Sequence, residues 1–133
     1  MRGPIHFRSA CVKTLSAVEA DPSRSNQHEF NGVIQLKDLF GEERTSIQAS
    51  FSTRGNDEIT QSEVTWYDAR DAHPRRSEYR LYFQPNPVME NAREGDDIII
   101  GFDNNGNLHC ELIPRESAGH NGDIGEWRPF PLG

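Results

Sequence analysis

Apolar residues return at every second position over several short stretches of this chain, the alternation expected of strands with one buried face. In "SIQASFST" (46–53), Ile47, Ala49 and Phe51 share one side. "IHFRSACVKTLSAV" (5–18) is roughly alternating and opens the sheet, while "SEVTWYDAR" (62–70) is rich in β-branched and aromatic residues. "SEYRLYFQ" (77–84) follows a proline-containing turn. "DDIIIGFD" (96–103), "NNGN" and "LHCELI" (108–113) read as a hairpin with Asn-Gly at its turn. "GVIQL" (32–36) runs into "KDLFGEE", a short helix stopped at Gly41. Six or seven short strands with turn signals between them predict a mainly β, closed or nearly closed barrel without internal repeats.

Two long polar connections interrupt this pattern. One is "EADPSRSNQHEFNG" (19–32), which has no apolar periodicity and carries Arg24, Asn26, Gln27, His28 and Glu29. The other is "DARDAHPRR" (68–76). Polar loops of this length in a compact domain often carry function. Residues 114–133 lack strand or helix signals and read as a tail or linker, with Trp127 and Phe130 available to pack back on the barrel.

The 133 residues suit one domain with its own core, although 34% apolar and 26% charged residues predict a small core and much polar loop. No apolar run reaches the length of a membrane span, and the start lacks the order of a signal peptide. Cys11 and Cys110 both sit in apolar, strand-like contexts, which predicts buried thiols in a reducing cytoplasm.

A net charge of −7 argues against indiscriminate polyanion binding but leaves room for a local basic face. The basic residues are 12 Arg and only 2 Lys, a bias toward the planar fork that donates hydrogen bonds in pairs. Four of those arginines fall between Arg70 and Arg80, while acids gather in "GEE", "NDE" and "MENAREGDD". On an extended segment, Arg76, Glu78 and Arg80 project from one face. Guanine O6 and N7 accept two bonds from one arginine, and cytosine N4 donates to a carboxylate, so such a comb suits a G·C-rich major groove. A pure phosphate binder has no use for the glutamate. A solvated strand edge whose charges discourage aggregation carries the same pattern.

Motifs for catalysis are scarce. The residues two before the lysines are Cys11 and Gln35, so the acid-x-Lys pair of common restriction nucleases is missing. The five histidines are scattered, and no phosphate loop or nucleophile elbow occurs. A small metal-dependent nuclease using Asp96, Asp97 or His109 is the alternative from another class, and a barrel whose basic row docks an acidic protein is a third.

The run "WYDARDAHPRRSEYRLYF" (66–83) resembles the N-terminal, effector-DNA-binding domain of EcoRII-type restriction endonucleases, in which a Tyr, an Arg and an Arg-x-Glu-x-Arg core follow in that order. The likeness extends through "VKTLSA", "NQHEFNG" and "LKDLF" upstream and "GDDIIIGFD" downstream, over residues 8–113. The resemblance implies a B3-like, seven-stranded DNA-binding pseudobarrel with one or two short helices. It implies double-stranded DNA as partner, gripped in the major groove by an N-arm and a C-arm at CC(A/T)GG. Carried over by position, the C-arm residues are Arg70, Arg76, Glu78 and Arg80, and the N-arm residues are Asn26, Gln27 and His28, with Glu29 and Arg24. The family's lysine is missing from "DAHPR", where His73 and Arg75 stand in its place. On this reading residues 1–113 are a non-catalytic recognition domain of a prokaryotic, cytoplasmic nuclease. The tail leads to a separate catalytic domain, which would need Mg²⁺; the recognition domain needs no cofactor. A B3-like reader of a different or methylated sequence fits the same motifs.

Overall fold

The computed structural model describes residues 5–20, 29–30, 34–68, 79–117, 120 and 124–130. The chain is mainly β. Its strands are β1 (Phe7–Thr14), β2 (Glu29–Phe30), β3 (Thr45–Thr53), β4 (Ile59–Asp68), β5 (Tyr79–Phe83), β6 (Asp97–Asp103), β7 (Leu108–Ile113) and β8 (Arg128–Phe130). They form one mixed sheet in the order β2-β5-β4-β3-β7-β6-β1-β8, antiparallel at every pairing except β3 with β7. Single helical turns α1 (Ala17–Ala20), α2 (Lys37–Phe40) and α3 (Pro87–Glu90) punctuate it.

The sheet curls into a half-barrel because most strands carry apolar groups on one face only. Ala49 and Phe51 of β3, Val64 and Trp66 of β4, and Leu81 and Phe83 of β5 point into the same core, all nearly inaccessible to solvent. The end strands β2 and β8 are not hydrogen-bonded to each other; instead Phe30 of β2 meets Trp127, just before β8, edge to face at 5.7 Å. Aromatic packing closes the barrel where the ladder does not.

The run "DIIIGF" is buried on both sides. Ile98 and Ile100 enter the main core, while Ile99 joins Ala10, Val12, Ile113 and Ile124 in a second cluster on the outer face, flanked by Phe7 and Phe130. A strand covered on both faces reads as continuous apolar sequence rather than alternation.

One expectation is corrected. Residues 114–133 are not all a strand-free tail: Arg128–Phe130 pair with β1, and Trp127 lies in the main core, 2% exposed. This C-terminal strand is the outermost of the sheet, beside β1. Ile34–Leu36 forms a 3₁₀ turn leading into α2. That helix does stop at Gly41, whose φ of 83° suits glycine.

Cys11 and Cys110 are free and buried, paired with Ile100 from its two sides. Burial, helped by the Asp38 charge, pushes the Cys11 thiol up to about 11, and burial also raises Cys110. Both are held protonated and inert at neutral pH. Among the described residues, no helix is long and apolar enough to cross a membrane.

Candidate nucleic-acid interface

The second polar loop closes the hairpin between β4 and β5, whose register pairs Asp68 with Tyr79. Arg70, His73, Arg75, Arg76 and Glu78 belong to that loop and lie outside the described residues, as do Arg24, Asn26, Gln27 and His28 of the first loop. The structure does describe the roots from which both loops spring. Glu29 and Phe30, at the end of the first loop, pair with Tyr82 and Leu81 of β5, the strand that ends the second. Two polar segments far apart in sequence are thus rooted on adjacent strands, separated by about 5 Å of backbone.

Arg80 is the comb residue whose position is described. Its neighbour Leu81 is fully buried, so strand alternation turns Arg80 to the outer face, where it is half-buried opposite Tyr67 of β4. Tyr67 carries a guanidinium over its ring there. The Arg44 side chain lies over its ring at 5.4 Å, just ahead of the β3–β4 pair Thr45 and Trp66. Arg44, Tyr67 and Arg80 therefore form a row across three neighbouring strands. Arg44 carries no signal of its own in the sequence, because only the register between β3 and β4 brings it opposite Tyr67.

Below the row the outer face is polar. Ser46 and Thr65 share a hydrogen bond of 3.1 Å, Gln61 Nε2 donates to Ser50 Oγ at 2.6 Å, and Gln48 pairs with Glu63.

The inner side of the same root is locked by aromatic rings. Phe40 stacks on Trp66 at 5.3 Å and Trp66 on Tyr79 at 4.9 Å, nearly parallel. Trp66 Nε1 donates to the Gly41 carbonyl and the Tyr79 hydroxyl to the Glu42 carbonyl, each at 2.9 Å. Lys37 sits 5.3 Å above the Tyr79 ring and pairs with Glu42 at 3.1 Å, which raises the pKa of its ammonium group. The helix stop at Gly41 thus presents two successive carbonyls to the two aromatic donors. The loop root is fixed by stacking and hydrogen bonds together.

No protein-family model matches the chain, and no curated protein matches it either.

The residues proposed for metal chemistry have other partners. Asp96 accepts from the Arg93 and Arg115 amides, both at 2.9 Å, tying the turn before β6 to the segment after β7. Asp97 is fully buried and accepts from the Thr14 hydroxyl, which itself accepts from the Ile124 amide at 2.7 Å. His120 Nε2 lies 2.6 Å from the Gly95 carbonyl and 3.3 Å from Asp97, both acceptors, so Nε2 carries a proton. His109 faces Asp103 at 2.9 Å and stacks edge-on against Phe7. Among the described residues, no three of His, Cys, Asp and Glu cluster as metal ligands would.

Proposed function

We propose that this chain is a sequence-specific double-stranded DNA-binding domain with a B3-like architecture, reading a short G·C-rich site in the major groove through two arms. The observation that carries the reading is the rooting of both arginine- and amide-bearing loops on adjacent strands, with Arg80 turned outward beside them. The resemblance of the second loop to the EcoRII-type effector-binding domain supports it and suggests CC(A/T)GG as the target.

In this mechanism Arg76 and Arg80 donate to guanine O6 and N7, and Glu78 accepts from cytosine N4. Arg70, His73 and Arg75 grip the sugar-phosphate backbone. The first loop, from Arg24 through Glu29, contacts the opposite side of the site. DNA cleavage, and the Mg²⁺ it uses, belong to a separate domain of a restriction endonuclease.

Competition between a CC(A/T)GG duplex and a scrambled duplex tests this reading. Glu78→Ala is expected to cost ~1–3 kcal/mol on the specific duplex while leaving scrambled DNA almost unchanged. Equal discrimination by wild type and variant removes the readout role, and equal wild-type affinity for both duplexes removes the reading itself.

A further inference from the structure

We propose that Arg44, held in place by Tyr67, is a backbone-phosphate contact that extends the DNA-binding surface from the arms onto the outer face of β3 and β4. The proposal rests on the duplex-binding reading above and adds a contact outside both arms.

Arg44 is exposed, and its described contact is the Tyr67 ring at 5.4 Å; it makes no ion pair with any described residue. Stacking uses the flat face of a guanidinium and leaves its in-plane N–H edge free, so a ring beneath it fixes direction without consuming donors. That arrangement lowers the entropy lost when a flexible side chain meets a phosphate. The row places Arg44 on the same outer face as Arg80.

Among the described residues, the nearby acids form no ion pair with Arg44. Glu42 is held by Lys37 on the inner side of the root. Asp68, one residue on from Tyr67, takes the opposite face of β4 by alternation and contributes to the Lys37 charge environment. Glu43 precedes Arg44 and is exposed. Glu63, on the same face of β4, lies four residues from Tyr67, about 13 Å along the strand. Between them, Ser46 and Thr65 offer hydroxyls of the kind that bond to phosphate and sugar oxygens. The occupant that fits is the sugar-phosphate backbone of the duplex whose bases the arms read.

The test measures binding of the whole chain to the CC(A/T)GG duplex and its scrambled counterpart over a salt series. Arg44→Ala is expected to weaken both complexes by a similar factor, about three- to tenfold, and to flatten the slope of log K against log salt by about one. The ratio between the two duplexes stays at the wild-type value. Arg44→Lys restores most of the slope, because it keeps the charge. Tyr67→Leu removes the ring but not the charge; it is expected to weaken binding while leaving most of the slope. Thermal unfolding of each variant separates this from damage to the fold. An Arg44→Ala slope equal to wild type overturns the proposal while leaving the arms' role intact, as does a slope change that follows the melting temperature instead of the charge. A wild-type chain that binds no duplex overturns both.

Discussion

At the turn between β6 and β7, the Asp103 carboxylate accepts from the Asn105 amide at 2.8 Å, the Asn107 amide at 2.9 Å and His109 Nε2 at 2.9 Å. The Asn107 bond first, and the His109 bond next, hold its pKa down at about 2. A carboxylate with a folded pKa below its unfolded value stabilises fully above the unfolded pKa, near 4, and that contribution disappears as pH falls toward 2. Asp103→Asn should therefore be less stable than wild type at pH 7, with the gap narrowing between about pH 4 and pH 2. Urea titrations at several pH values measure this, and a gap that does not change with pH contradicts the assignment. Legibility at this scale depended on whether a residue's partner is near in sequence. The Asn-Gly turn could be read directly, and Gly106 has the φ of 82° that such a turn needs. Arg44 could not be read, because its significance comes from a cross-strand neighbour more than twenty positions away.

Among the elements, β3, β4 and β5 were legible because alternation with one buried face is a period-two signal that survives any loop length. Residues 32–36 have no period of their own to separate strand from helical turn, and Leu36 reaches the core from a 3₁₀ turn. The α3 turn carries a local sequence signature: Asn86 accepts from the Met89 amide at 3.0 Å, with Pro87 at the first helical position. The pairing of β1 with β6 depends on a requirement invisible in the sequence. A Cβ at Gly101 would lie 2.3 Å from Ala10 Cβ and 2.4 Å from the Ser9 carbonyl, next to the irregularity between Phe7 and Ser9. Gly101→Ala is expected to destabilise the fold by ~2–3 kcal/mol through overpacking. Ala10→Gly should not rescue it, since the Ser9 carbonyl and the Ala10 Cα at 2.6 Å still collide. Denaturant midpoints of the single and double variants check this, and full recovery in the double variant would show that side-chain contact alone sets the spacing.

At the scale of the molecule, the sheet is an open curl whose two ends are bridged by Phe30 against Trp127. The sequence offered Trp127 as a group that could pack back, but not the strand beside it, because three residues with Pro129 in the middle carry no strand signal. Proline is tolerated there because β8 is an edge, paired with β1 alone. The same segment supplies Ile124, whose amide and carbonyl both bond to Thr14, so the C-terminal residues hold β1 from outside while Trp127 fills the core. Trp127→Ala is accordingly expected to cost ~3–5 kcal/mol, the range for deleting a buried aromatic side chain. Trp127→Phe should cost much less: it keeps a ring against Phe30 and removes an indole N–H that is buried without a hydrogen-bond partner among the described residues. A residue in a mere linker would change stability by less than ~0.5 kcal/mol on either substitution. Urea unfolding followed by both fluorescence and circular dichroism distinguishes the cases. Coincident transitions shifted strongly in Trp127→Ala place the C-terminal strand inside one cooperative unit with the loop roots at β2 and β5. An unshifted midpoint would mean that the unit ends near Ile113 and that Phe30, at the foot of the first loop, is held in place without Trp127.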